Sequence, residues 1–522
     1  MTIFFILQAV NAFSQGTQAH ERLTNLEHFV RCYSKFTLQA PKITDPLYIA
    51  VKNGSMNPVT ACMNLLKKAT MTGTETNLTV PSSVLNASDG AVVSEIVRNF
   101  HNFHKSWFPS KLRDGSAIDQ VTHLIRDFEE PPLYLTRALF GQVGNNKVQF
   151  KTAVTYNKSL AGLRYKEVQP NISNWDSRSF FSYPTIVDNE PSNITFNFLN
   201  LPLGTLNSPS NTTHHTTAIQ VPDNQLVQFG ELYGVRDAPA LNVSKVRYAL
   251  NSTGRGSGSD INNTEIQNSM MTTNFQSRNL REHLGGGIIG SQSFYLANTN
   301  LVAYQPAYRE RVVARRYTSR IQEILMCHTM PNLLPSDVAR EVNLNSEHAF
   351  QQNASCMQCH SAIDPAAGVV KNLIVFTTAN QTNSLNRLRL GIPAVGAGRL
   401  PAGSSAQDYV FTTPSGRLYY RDFKNKLVSQ NISSLADMGN KIGSSFDYYA
   451  CASKRYYYFL TGIDVTLNSI EGESSLTQYH RSRIFSFAER LQSHQNLMTL
   501  IQDIISSDTF KTRNYMSEQG GD

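Results

Sequence analysis

Residues 484–505 read IFSFAERLQSHQNLMTLIQDII, and their spacing decides the fold class. Ile484, Ala488 and Leu491 fall on one helical face, and Leu497, Leu500, Ile501, Ile504 and Ile505 on another. The whole block Ser433–Phe510 carries this period. Working back along the chain, Tyr308–Met326 repeats it, with Val312, Val313, Ile321, Ile324 and Leu325 as its apolar part. Arg309, Arg311, Arg315, Arg316 and Arg320 give that helix a basic face, which is solvated or salt-bridged, or else docks an acidic partner. Helices are also predicted within Thr17–Phe108, at Glu21–Tyr33 and Asn57–Ala69. A further helical stretch spans Glu130–Val168, opened by Pro131-Pro132 with Leu133, Leu135, Leu139 and Phe140 apolar, and a shorter one Asn274–His283.

Two stretches break the pattern. Asn171–Gly258 is rich in Asn, Ser, Thr and Pro with short alternating runs such as Asn193–Phe198, which predicts loops and short strands on a surface. Its Asn-x-Ser/Thr triplets, Asn211 and Asn242 among them, are expected by chance in such a composition and imply no glycosylation. Thr382–Lys426 holds Gly391, Pro393, Gly396, Gly398, Pro401 and Gly403, a loop or weak hairpin.

With 40% apolar and 16% charged residues over 522 positions, the chain has material for a sizeable core, against wholesale disorder. No apolar run reaches the ~18 residues of a membrane helix. The net charge of +8 is spread along the chain and is no nucleic-acid footprint. The opening residues MTIFFILQAV, followed by Asn11-Ala12, are short and apolar but lack a basic start. They read either as a signal segment over residues 1–12 or as an ordinary buried beginning.

Residues 356–360 are Cys356-Met357-Gln358-Cys359-His360, the C-x-x-C-H attachment pattern for c-type haem. The chemistry explains the spacing. Two thiols three positions apart share one turn and can each add to a vinyl group of one porphyrin, while His360 ligates the iron as proximal ligand. A redox or structural disulfide and half a zinc site are the alternatives. A second C-x-x-C is absent, which counts against zinc, and no thioredoxin-like strand precedes the motif. For the sixth iron position the chemistry offers Met330, His348 and Met438. A methionine there would raise the potential, a histidine would lower it, and an open site would permit small-ligand chemistry of the peroxidase or oxidative kind.

Six cysteines are too few to build a fold from disulfides. In an oxidising compartment Cys32 and Cys62 would join two helices; otherwise they are buried thiols. Cys327-His328 lacks a second thiol and cannot anchor a haem in the usual way. Cys327 is paired here with Cys451, the two left over, independent buried thiols being the alternative; the closed loop of 124 positions would contribute ~4 kcal/mol in the entropic account. Gly285-Gly286-Gly287-Ile288-Ile289-Gly290 fits G-x-G-x-x-G, but the polar helical stretch before it does not suit a dinucleotide site, and the glycines read as a turn of close backbone approach. His214-His215 reads as a pair of solvated loop histidines.

The block Arg309–Phe376 resembles the planctomycete-type cytochrome C-like proteins. The likeness rests on Arg320, on Leu325-Met326-Cys327-His328-Thr329-Met330-Pro331, on His348, on Cys356 to His360 and on Ile363-Asp364-Pro365. Ala366-Ala367 precedes Gly368 where the family has one residue. The C-terminal block resembles the family's last domain at Leu435-Ala436, Phe446, Cys451, Tyr456–Phe459, Gly462, Leu500-Ile501 and residues 506–513. Phe150–Asn157 with Leu160 and Tyr165 resembles its first domain. The likeness covers residues 128–170 and 280–513. It implies a bacterial, exported protein with covalent haem and an electron-transfer role, located in the periplasm, on the outer surface or secreted. Family members often carry additional haem motifs; this chain has one.

The combined expectation is a mainly α, multidomain helical protein with a loop- and short-strand-rich middle and a cytochrome c-like haem-binding segment. Its segments are a signal at 1–12, a helical region at 13–125, a helical then loop-rich region at 126–300, the haem segment at 301–381, a loop or hairpin insertion at 382–426 and a helical block at 427–522. One covalent haem c is expected, with a redox partner protein and no nucleic acid. Association with the outer membrane or with other exported proteins would fit that setting. A structural or assembly role, with the motif as a staple, is the competing reading.

Overall fold

The computed structural model describes residues 22–108, 130–158, 160–166, 229–237, 285–291, 294–295, 298, 309–370, 374–379, 386–391 and 414–513. Residues 1–12, Asn211, Asn242, His214-His215 and Asn274–His283 lie outside them. Helix is the main element among the described residues, as the apolar periodicity predicts.

Helix α1 (Asn25–Thr37) starts on a reciprocal cap: the Thr24 hydroxyl accepts from the Glu27 N–H, and Glu27 accepts the Thr24 N–H at 2.8 Å. Helices α2 (Pro46–Lys52) and α3 (Pro58–Lys67) begin on Asp45 and Asn57, each followed by proline, whose missing N–H costs nothing in a first turn. The Cys32–Cys62 disulfide ties α1 to α3. A hairpin of β1 (Met71–Thr74) and β2 (Asn77–Thr79) then interrupts the helices, leading to α4 (Gly90–Lys105).

The helical expectation for Glu130–Val168 is corrected. Helix α5 (Glu130–Phe140) ends at Gly141, and β3 (Gly141–Val143) turns back through Gly144-Asn145 into β4 (Asn146–Lys147). Gly144 has φ +56°, the left-handed conformation that a two-residue turn needs at its first position. Strand β5 (Leu160–Lys166) pairs with β6 (Phe229–Asp237). The six strands order as β4-β3-β1-β2-β6-β5, parallel at β1–β3 and antiparallel elsewhere. Strand β6 lies between β2 and β5 with Leu232 and Val235 buried, so this part of the Asn/Thr-rich middle is a strand, as predicted, but packs in the sheet's interior and not on the surface.

Helix α6 (Arg309–Met326) leads through α7 (Pro335–Val338) to α8 (Ala354–Ala367). Strands β7 (Ile374–Ala379) and β8 (Asn386–Gly391) pair with each other, as do β9 (Gly416–Arg421) and β10 (Leu427–Ile432). The predicted loop or weak hairpin at 382–426 thus contains two ordered strands, and the C-terminal block opens on a strand before its helices. Those are α9 (Leu435–Ile442), α10 (Phe446–Thr461), α11 (Ser475–His494), α12 (Leu497–Ile505) and a last turn, α13 (Asp508–Lys511).

Helix α10 is central. Tyr448, Tyr449, Tyr456 and Tyr457 are buried on it, and burial demands partners for their hydroxyls. Tyr456 OH lies 2.6 Å from His104 Nε2, Tyr457 OH 2.7 Å from His480 Nδ1, and Tyr448 stacks on Phe150 at 4.5 Å between ring centroids. The Cys327–Cys451 disulfide joins α10 to the end of α6. One apolar cluster runs from Phe29 to Phe510 and takes side chains from each of the five segments the sequence separates beyond residue 13. A second, smaller cluster holds Leu333, Val338, Met357, Ala362 and Tyr419. Gly285, Gly286 and Gly287 have positive φ, and a Cβ on Gly287 would stand 2.2 Å from the Ala153 carbonyl oxygen, the close approach the glycine run predicts. No helix among the described residues is long and apolar enough to cross a membrane.

Candidate functional site

The C-x-x-C-H motif lies on α8. Asn353 caps this helix by accepting the Ser355 N–H at 2.8 Å, so the motif begins within the first turn. Met357, Ala362, Ala366 and Ala367 face inward, where α8 packs between α6 and β9. Residues 356, 359 and 360 are three and four positions apart and therefore share one face in the helix's first turns. Cys356 is exposed and Cys359 half-buried, and both thiols are free, whereas the other four cysteines are bonded in pairs. Burial, and then the charge of Cys356, push the Cys359 thiol above its ordinary pKa.

His360 is held on two sides. Its Nδ1 lies 3.1 Å from Asp364 Oδ2, one turn further along α8, with the imidazole a quarter exposed. Phe350 stacks on the ring at 4.2 Å between centroids, and His348 stacks in turn on Phe350 at 5.8 Å. Asp364 is gripped from α6: Arg315 Nη2 lies 2.7 Å from Oδ2 and Nε 2.6 Å from Oδ1. Thr318 donates to the Ile363 carbonyl at 3.0 Å and Gln322 to the Ala362 carbonyl at 3.3 Å, fixing α6 against α8. The arginine-rich face of α6 is thus salt-bridged at Arg315, and at Arg320 through Glu323.

The three candidates for the sixth iron position sit differently. Met330 packs against the small cluster that contains Met357. His348 is exposed and reaches His360 through Phe350. Met438 is fully buried on α9 in the large core, a different cluster from the motif helix's Met357. Its neighbour Asp437 lines a cleft of about 680 Å³ with Asp364, Pro365, Gly368, Gly416 and Ser433; the motif residues Cys356, Cys359 and His360 do not line it.

The residues fit a thioether-anchored haem. Two accessible thiols flank one helical turn, and the carboxylate on Nδ1 leaves Nε2 as the ligating nitrogen, the arrangement in which an outer carboxylate fixes tautomer and ring direction. Phe350 stacks on the face of the imidazole. Among the described residues no three His, Cys, Asp or Glu side chains converge as a cage for a bare metal ion, a requirement that a ring-held iron does not impose.

Sequence reasoning missed Asp364, Arg315 and Phe350 as neighbours of His360. Only Asp364 had a local signal, its i+4 spacing on one helix; the other two depend on how α6 and the 343–353 loop fold over α8. It missed a second buried pair as well. His328 Nε2 lies 2.6 Å from Asp447 Oδ2, with Phe423 stacked on the imidazole at 4.5 Å, and burial raises the Asp447 carboxyl above its ordinary range. This pair flanks the Cys327–Cys451 disulfide and is remote in sequence from the motif. Comparison with family models, with curated proteins and with solved structures finds no match.

Proposed function

We propose that this chain is an exported bacterial c-type cytochrome that carries a single haem and passes one electron at a time. The observation that carries the reading is the division of the cysteines. Four pair as disulfides, and the two that stay free stand on one helix face beside a histidine whose Nδ1 is held by a carboxylate. The resemblance of residues 280–513 to the planctomycete-type cytochrome C-like proteins supports the same assignment. Bound there, the haem would supply the one-electron chemistry of its iron. Cys356 and Cys359 would hold the ring, His360 Nε2 would be the proximal ligand, Asp364 and Phe350 orient that imidazole, and the small apolar cluster anchors the helix beneath it. Met330, His348 and Met438 are the residues whose chemistry would suit the sixth position. Two disulfides suit the oxidising compartment in which such a haem is attached, and support a location in the periplasm, on the outer surface or outside the cell.

The test is a pyridine haemochrome spectrum together with an intact mass, on the full chain produced in a bacterium that matures c-type cytochromes. One haem per chain, retained after acid–acetone extraction, is the expected result. A colourless protein with the mass of its amino acids would overturn it. Cys356 and Cys359 oxidised to each other would then favour the structural reading, which the large core supports because it closes over most of the chain without help from the motif face.

A further inference from the structure

The proximal histidine is wired to two opposite charges in series. Asp364 Oδ2 takes the His360 Nδ1–H at 3.1 Å, and the same oxygen accepts Arg315 Nη2 at 2.7 Å while Arg315 Nε approaches Oδ1 to 2.6 Å. One guanidinium N–H bonds Oδ2 and Nε stands at ion-pair distance from Oδ1, so the positive charge of Arg315 draws on the same carboxylate that His360 uses. The chain Arg315–Asp364–His360 is partly shielded: the Arg315 and Asp364 side chains are 30% and 26% exposed. Arg315 also lies 5.2 Å from the centroid of Phe350, the ring stacked on His360. One aromatic side chain therefore touches both ends of the relay, and the Thr318 and Gln322 bonds keep the two helices in register.

Resting on the haem reading above, we infer that Asp364 and Arg315 are positioning residues that tune the iron through His360 in opposite directions. A carboxylate accepting from Nδ1–H draws that proton away from the ring and makes Nε2 a stronger electron donor, which favours the oxidised metal. Arg315 occupies the same carboxylate and so weakens that pull. The potential is then set by a balance between the two, and removing either partner moves it the opposite way from removing the other. A purely structural role predicts something else: both substitutions would loosen α6 against α8, and both would shift the site in one direction or lose haem.

The experiment uses the full, haem-loaded chain and reads two quantities, the midpoint potential and the iron–imidazole stretching band in the resonance Raman spectrum of the reduced protein with its sixth position vacated. Asp364→Asn is expected to raise the potential and lower the band frequency. Arg315→Gln is expected to lower the potential and raise the band. Arg315→Lys, which keeps the charge and loses the guanidinium's contact with both oxygens, should fall between wild type and Arg315→Gln, and it serves in place of the glutamine variant if that fails to fold. Shifts of the same sign in both variants, or potentials that move with no change in the band, overturn the inference and leave the haem assignment standing. A wild-type chain without haem would instead overturn the assignment itself.

Discussion

Lowering the pH from 7.5 to 5 should destabilise this protein through histidines that have no place for a charge. His28 on α1 and His480 on α11 are almost wholly buried. Burial drives each down from the ordinary 6.5 to about 4; nearby Lys511 and Arg31 add to the effect at His28, whose backbone contact at Ile505 opposes it. His104, enclosed by Thr136, Tyr456 and Trp107, is also held well below 6.5, by burial and then by His101. The folded state binds these protons more weakly than the unfolded state. Stability is therefore complete above 6.5 and is lost as pH falls from 6.5 toward 4. For a shift from 6.5 to about 4, the loss accumulated by pH 5 is roughly 2 kcal/mol per histidine, so His28 and His480 together account for about 4 kcal/mol. Asp447 and Asp503, raised by burial, work with the opposite sign, their protonation favouring the folded chain, which makes the upper part of the window the cleanest. The assay is urea unfolding at pH 7.5 and pH 5, followed by far-ultraviolet circular dichroism. His480→Phe leaves Tyr457 its bond to Thr509 and should remove about half of the loss assigned to the two histidines. If His28→Phe and His480→Phe together leave the pH dependence unchanged, buried neutral histidines are not its source.

Two further outcomes concern the scaffold. Replacing Cys327 and Cys451 by alanine releases a loop of 124 positions and should cost about 4 to 5 kcal/mol in the loop-entropy account, against about 3 to 4 kcal/mol for Cys32 and Cys62 with their separation of 30; urea midpoints that rank the pairs in reverse would show strain or residual structure dominating. Gly287→Ala pushes a Cβ to within 2.2 Å of the Ala153 carbonyl at a residue with φ +52°, so it should cost more than the roughly 1–2 kcal/mol of the left-handed conformation alone, and an unchanged midpoint would contradict that approach.

What could be read from the sequence was whatever lies within one turn or one period. The helices at 309–326 and 475–505 announce themselves by apolar spacing, and the disulfide partners emerged from helix placement and from counting what the motif left over. The motif's three residues needed only their spacing. The six-stranded sheet was hidden because β5 and β6 are joined across more than sixty residues, and because Gly144-Asn145, a genuine hairpin signal, sits at the end of an apolar run that reads as helix. The relay behind His360 was hidden for a related reason. Arg315 and Asp364 meet only once α6 and α8 pack, and an arginine on a basic face looks the same in sequence whether it meets water or a carboxylate.

The most direct test of the account is the mass of the chain with its two free cysteines altered one at a time. Matured in a c-type cytochrome host, the wild-type protein should weigh one haem more than its polypeptide and hold it under denaturing conditions. Cys356→Ala and Cys359→Ala should each keep at most a single thioether link, and the double variant should release all pigment on denaturation. A wild-type chain that matches its polypeptide mass, or a double variant that still holds pigment covalently, would contradict the assignment of Cys356 and Cys359 as the anchors.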